Sequence, residues 1–582
     1  MTLLRTIADI LMPGIGTKIV RLELALLGAA CLLAWVRPQC GSRMFGEIER
    51  RFRWLAERRR LAALAVGALV LVLRTALLPV APVAVPGWGD EFSYLLAADT
   101  FAHGRLANPT HPMWIHFESF HIDQRPTYAS MYPPMQGMVL AAGQVISGRP
   151  WIGEWLAAAA MCAAITWMLQ GWVAPEWALL GGLLAALRIA TFSYWINTLF
   201  GGAAGALGGA LVIGSLPRIA APTPRAFHAI WMVVGIGIIL NSRPFEGAIV
   251  SAGACVALVG LLMRARPPMY LVLRRIALPI GIAGAVLIAA MAYYSWRVFG
   301  SPFAPPYSVN RATYAVSPVF VFQSVGPEPS YHHDVMRQFY LGWELGTYRD
   351  VRTPAGFVKS LGEKWKGVEA FFLGPALLIP LLVFPGAVLG RRIRVPVLIA
   401  APVACALLTE VWVFPHYLSP ITCVIYAVVV EAIRRLRAWK PGGRRSGLLL
   451  SRAVPLTCLL TVLIVAAGRA VGFNPVTVTG LEFVTPYWGL RDRATMLARL
   501  ERLPGKHLVV VRYAPDHSVH AEWVYNEADI DAAKVVWARE MDPASDRRLI
   551  SYFSDRRVWL LEPDVTPPRI SDYSAVSAAV AP

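Results

Sequence analysis

The sequence predicts a polytopic α-helical membrane protein, and three observations predict it. Of 582 residues, 56% are hydrophobic and only 16% charged, with a mean hydropathy of +0.51; a soluble surface carries more charge than this. The apolar residues come in runs long enough to cross a bilayer, which takes about 20 residues. The basic residues behind the net charge of +19 gather in short segments between those runs: "RFRWLAERRR", "MRARPPMYLVLRR", "GRRIR" and "RRLRAWKPGGRR". That is the pattern of the positive-inside rule. These segments read as cytoplasmic faces that touch membrane lipids, anionic ones above all, so nucleic acid is not expected as a partner.

The elements follow in order. Apolar runs stand at 20–36, 61–82, 131–147, 152–173, 177–195, 199–216, 226–240, 246–262, 274–296, 371–389, 395–414, 417–433 and 448–471, and 11 to 13 crossings are expected. The basic segments place 43–60 inside and 86–130 outside. In the second half 263–275, 390–394 and 434–447 are inside, while 300–370, Pro415–His416 and 473–582 are outside. The middle demands an odd number of crossings between 131 and 216, where four runs stand. One is therefore expected to be re-entrant or merged, and the glycine-rich "LFGGAAGALGGALVIGSL" is the suspected irregular element.

Three units result: an N-terminal helix with its basic cytoplasmic segment (1–60), a transmembrane body (61–472) with exported loops 86–130 and 297–370, and a tail (473–582). In the tail "KHLVVVRY" reads as a strand and "DAAKVVWARE" as a helix or strand, so a small α/β domain is expected. None of the seven cysteines falls in 86–130, 300–370 or 473–582, so the exported parts are expected to fold without disulfides. No short cleavable signal is visible, and the first helices are expected to serve as the targeting signal.

Chemistry-bearing residues gather at the outer ends of helices. Asp90 and Glu91, in "GWGDEFSYLL", open a short helix after an apolar run. One acid suffices to cap a helix N-terminus; two leave room for a general base, a metal ligand or a substrate contact. "SMYPPMQGMVL" brings Tyr132 to the entry of the next helix, with prolines that rigidify the approach. "HPMWIHFESFHIDQRPTY" spaces His111, His116 and His121 by five, which is neither helical i,i+4 nor a zinc motif; interfacial histidines outweigh a metal site there. "ILNSRPFEGAIV" inserts Arg243 and Glu246 between apolar runs, either as an internal pair or as a guanidinium that clamps a phosphate. "WVFPHYLSPI" sets His416 and Tyr417 at another outer turn.

With these residues in hand, the chain resembles the polytopic glycosyltransferases of the GT-C fold, most of all the bacterial branch related to protein O-mannosyltransferases and to the aminoarabinose transferase of lipid A. The resemblance rests on "GDE" at the start of the first exported loop, "YPPMQG", "SRPFEG" and "PHYLSP", together with the glycine-rich stretch after "YWINTLF", and it covers roughly 60–435. It implies an inverting transfer of a sugar from a polyprenyl-phosphate donor to a lipid, glycan or protein acceptor, at the periplasmic face of the bacterial inner membrane. It implies Asp90 as general base and Glu91 as the supporting acid that positions the acceptor. Tyr132, Arg243 and Glu246, with His416 and Tyr417, would line the donor and phosphate site. No cofactor is required by it, and a divalent cation is left open.

The main rival is a transporter or flippase for a lipid-linked or small polar substrate. It would show midplane charges and broken helices in both halves. Here the polar residues sit at outer helix ends and in large loops, which favours surface chemistry.

Overall fold

The computed structural model describes residues 18–83, 85–472 and 490–573. The first part of the N-terminal unit, the junction 473–489 and the end of the tail lie outside the described residues. Proline opens five of the long helices, where its missing N–H costs no internal bond and its fixed φ is already helical.

In chain order the helices of the body are α1 (Lys18–Val36), α2 (Ser42–Glu57), α3 (Arg59–Ala76), α4 (Gly89–Ala102), α5 (Met135–Ser147), α6 (Pro150–Leu169), α7 (Pro175–Ile189), α8 (Ala203–Ile219), α9 (Ala226–Leu240), α10 (Pro244–Ala265), α11 (Met269–Phe299), α12 (Pro354–Val383), α13 (Arg394–Leu407), α14 (Pro415–Ala438) and α15 (Ser446–Ala470). Among the described residues seven of these, α1, α6, α10, α11, α12, α14 and α15, are long and apolar enough to cross a membrane, and α8, α9 and α13 are shorter apolar helices. The chain is a multi-pass α-helical membrane protein.

The basic segment after α1 is itself a helix, α2, whose Glu49 accepts from Arg437 at 2.9 Å and from Arg452 at 2.9 Å. Two segments that the charge pattern put on one side therefore meet there. The body is packed through small residues. A Cβ on Gly209 of α8 would lie 1.9 Å from the Pro420 carbonyl, and one on Gly208 would lie 2.9 Å from the Gly235 carbonyl, so no larger side chain fits at either crossing.

The odd count in the middle has a different origin from the one expected. The glycine-rich stretch is non-helical at its entry, where Gly201 and Gly202 have positive φ, and is one unbroken helix, α8, from Ala203 onward, and the non-crossing element is α5. The Met135 amide donates to the Asn241 carbonyl at 3.0 Å, next to the turn between α9 and α10. At its other end α5 turns at Gly148 straight into α6. The far end of α6 meets the start of α3, where Gln170 Nε2 donates to the Arg59 carbonyl at 2.8 Å, and the far end of α8, where Arg218 donates to the Trp167 carbonyl at 2.6 Å. Both ends of α5 thus lie on one side, and α6, α7 and α8 make three passes. The sequence could not show this because α5 is as apolar as its neighbours.

The tail carries the expected sheet. Strands β3 (Lys506–Val511), β4 (Val535–Arg539), β5 (Arg556–Glu562) and β6 (Arg569–Asp572) stand in the order β4-β3-β5-β6, the first three parallel and β6 antiparallel. Helices α16 (Arg491–Arg502) and α17 (Pro543–Tyr552) pack on it. A two-residue ladder in the first loop, β1 (Ile122–Asp123) on β2 (Ala129–Ser130), shapes the approach to the site.

Candidate active site

Asp90 lies in the first turn of α4, and Trp88 before it is extended, with φ −121° and ψ 152°. The turn is pressed against both the loop and the tail: a Cβ on Gly89 would fall 2.8 Å from the His121 ring and 2.8 Å from the Tyr525 hydroxyl. Only glycine fits there, which accounts for the first letter of "GDE". The Tyr132 hydroxyl donates to Asp90 Oδ1 and lies 3.1 Å from His121 Nδ1. Burial, and then the charge of Asp90, pushes the Tyr132 hydroxyl well above its usual pKa, so it stays protonated and remains a donor to the carboxylate.

His121 is held in a left-handed conformation, φ 63°, which a non-glycine residue adopts only when its surroundings enforce it. Its carbonyl accepts from Ser93 Oγ at 2.6 Å and from the Met131 amide at 3.1 Å. The two ends of the first loop are thereby fastened around the carboxylate. Glu91 faces the other way. It is 1% exposed, and its oxygens accept from the Gly87 amide at 2.9 Å and the Leu199 amide at 3.0 Å. The adjacent acids have separate positions: Asp90 is bound to a tyrosine at the cleft, while Glu91 bolts α4 to the strand of chain before α8.

One tyrosine away from Asp90 is a small cleft, lined by residues that include Tyr94, Arg243, His416 and Ser419. The Tyr94 ring lies 4.6 Å from that of Tyr132, and Tyr307 stands edge-on to Tyr132 at 5.4 Å. The Arg243 guanidinium rests on the Tyr417 ring, 3.9 Å from its centroid. Among the described residues it has no carboxylate within ion-pair distance, although Glu246 is near enough to act on it electrostatically. The internal Arg243–Glu246 pair, one of the two readings of "SRPFEG", is therefore not formed. The Tyr194 hydroxyl accepts the His416 backbone N–H at 3.0 Å and lies 2.8 Å from the ring Nδ1, which fixes the orientation of the imidazole. Glu410, between α13 and α14, is buried; burial, and then Glu246, push its carboxyl up to about 8.

The structure thus brings Asp90, Tyr132, Arg243, His416 and Tyr417 to one end of the helical body, with Glu246 buried beside them. It disperses the three histidines. His111 lies 3.2 Å from Asp531 of the tail, His116 lies 3.0 Å from the Arg539 carbonyl, and His121 faces Tyr132. Among the described residues no group of three metal-binding side chains gathers; two of these histidines hold the tail to the loop. Sequence reasoning missed Tyr94, Tyr307, Glu410 and Ser419. Tyr94 was within reach, since it stands one helical turn after Asp90, but the others come to this end of the body only through long-range folding.

No family model matches the chain, and no curated protein matches it. In its course the chain is similar to the ArnT of Cupriavidus metallidurans in the apo state, with 13% identity and a TM-score of 0.48 over 88% of this chain and 94% of that one. The same ArnT bound to undecaprenyl phosphate gives 13% and 0.48, over 89% and 94%. The Archaeoglobus fulgidus oligosaccharyltransferase in the apo form gives 10% and 0.40, over 86% and 69%.

Proposed function

We propose that this protein is an inverting, GT-C type glycosyltransferase that moves a sugar from a polyprenyl-phosphate donor to an acceptor hydroxyl on the extracytoplasmic face of the cell membrane. The observation that carries the reading is the pairing, at one end of the helical body, of a carboxylate held by a tyrosine with a guanidinium that lines a cleft and has, among the described residues, no carboxylate within ion-pair distance. A guanidinium with no directly paired carboxylate beside a small cleft is suited to an anion, and phosphate is the anion its fork of donors fits best.

The acceptor oxygen attacks the anomeric carbon and its proton passes to Asp90. The bond from that carbon to the phosphate oxygen breaks, and the electron pair leaves with the phosphate toward Arg243. Such displacement needs a positioned base and positive groups at the leaving oxygens, and little acid help. Tyr132 orients Asp90, Glu91 fixes the helix that carries it, and Tyr417 holds the guanidinium in place.

The test compares wild type with Asp90→Asn in membranes given radiolabelled polyprenyl-phosphate sugars and native acceptors. Transfer is expected to fall by about 10²–10⁴-fold at unchanged protein level and unchanged binding of undecaprenyl phosphate. Equal transfer by the two proteins would remove Asp90 from the chemistry.

A further inference from the structure

Arg243 is not the only donor in the cleft. Gly201, Gly202, Ala204 and Gly205 line it as well, and they form the entry and first turn of the 17-residue helix α8. The amides of a first turn have no acceptor inside their own helix, and the aligned peptide dipoles place roughly half a positive charge there. Gly201 and Gly202 enter the helix with φ of +78° and +119°. Neither position tolerates a side chain: a Cβ on Gly201 would fall 2.5 Å from Gln136 Oε1, and one on Gly202 would fall 2.4 Å from the Trp195 ring. Backbone therefore forms this wall of the cleft.

Facing the same turn is Ser419, from the start of α14. It is 1% exposed, and its hydroxyl is buried with no hydrogen-bond partner. A Cβ on Gly205 would lie 2.4 Å from that oxygen, so the hydroxyl points at the first turn of α8. A buried hydroxyl without a partner is costly in a native fold. A ligand with acceptor oxygens in the cleft that Gly205, Arg243 and Ser419 all line would supply the missing partner.

We infer that the first turn of α8 and the Ser419 hydroxyl form an anion subsite that seats the phosphate group of the donor, with Arg243, which lines the same cleft, as its cation. The inference rests on the reading that this cleft takes a phosphate-linked lipid. Partial charge from the helix, one neutral hydroxyl and one guanidinium surround a phosphate without burying a second full cation. The same groups would stabilise the charge that grows on the phosphate as it leaves.

The experiment is a binding titration of the purified full-length chain in detergent with undecaprenyl phosphate, undecaprenol and inorganic phosphate. Ser419→Ala is expected to weaken undecaprenyl phosphate about fivefold to tenfold, the loss of one hydrogen bond, and to leave undecaprenol unchanged. Gly205→Ala, whose methyl meets the hydroxyl, is expected to weaken it further. Inorganic phosphate is expected to compete in wild type and to compete less well in Ser419→Ala. Unchanged affinity for undecaprenyl phosphate in Ser419→Ala, or an equal loss for undecaprenol, would overturn the subsite; should Gly205→Ala fail to fold, Ser419→Ala decides alone. Inorganic phosphate binding as tightly as the lipid would overturn the lipid as its source. A wild type that does not distinguish undecaprenyl phosphate from undecaprenol would instead sink the functional reading itself, a result distinct from all of these.

Discussion

Tyr132 is the residue on which the proposed base depends, because its hydroxyl orients Asp90 and also meets His121. Tyr132→Phe keeps the ring against Tyr94 and removes only that oxygen. It is expected to lower kcat by roughly 10–100-fold, in the range of a lost positioning contact to a general base, with the Kd for undecaprenyl phosphate unchanged; a rise in Kd with kcat intact would place Tyr132 in binding instead. Asp123 offers a pH test in the first long loop. It is 3% exposed, takes one hydrogen bond from Asn310 at 3.0 Å, and leaves Oδ2 without a partner. Burial, against the smaller opposing pull of Asn310, raises its carboxyl to about 7. The folded state therefore holds the proton more tightly than the unfolded chain. The stability this contributes is complete below the unfolded pKa of 3.8 and is lost as pH rises to about 7. Asp123→Asn cannot ionise, so its Tm relative to wild type is expected to rise by several degrees between pH 5 and pH 8. A pH-independent difference would count against the argument.

At the scale of elements, α4 is the piece that assembles the site. Its first turn carries Asp90, its second acid bolts it to the chain before α8, and Phe92 stacks on Tyr525 of the tail with ring centroids 4.1 Å apart. Gly89→Ala would push against His121 and Tyr525 together. It is expected to cost about 1–3 kcal/mol, as overpacking does, and to loosen the tail from the loop, seen as faster hydrogen exchange in both segments. Retention of wild-type exchange would show that the two neighbours can yield.

At the scale of the molecule, the tail packs against the loop 86–130. Arg539 and Glu522 form a 2.6 Å ion pair in which both side chains are 2% exposed, and Arg539 Nε also donates to the Glu118 carbonyl of the loop at 2.8 Å. Tyr314 and His332, from the second loop, each hydrogen-bond Glu118 at 2.8 Å, so the two long loops and the tail meet at one residue. Arg539→Ala would strand Glu522 in the interior and cut the link. A loss of about 3–5 kcal/mol, typical of breaking a buried pair, is expected in the stability of the tail, read as trypsin cleavage within 490–573 before any cleavage of the body. Simultaneous cleavage would mean that tail and body unfold as one unit.

The sequence by itself determined the membrane class, most of the helices, the first strand of the tail and the polar residues that meet at one end of the body. Each of these rests on local signals: apolar length, basic segments between runs, proline at helix starts, and paired acids after a helix. It also singled out Asp90, Tyr132 and Arg243, because charge and tyrosine at the edge of oil are conspicuous. Only the tertiary structure decided which apolar run fails to cross, since that depends on where both ends of α5 are anchored and not on its composition. Only folding separated Asp90 from Glu91, two neighbours that look equivalent in the sequence but point to opposite sides of one helical turn. It also sent the evenly spaced histidines to different partners, and it set Ser419 against an amide turn more than 200 residues away. The physical reason is the same throughout: which run is apolar is local, whereas the partner that satisfies a buried polar group is chosen by the packing of the whole chain.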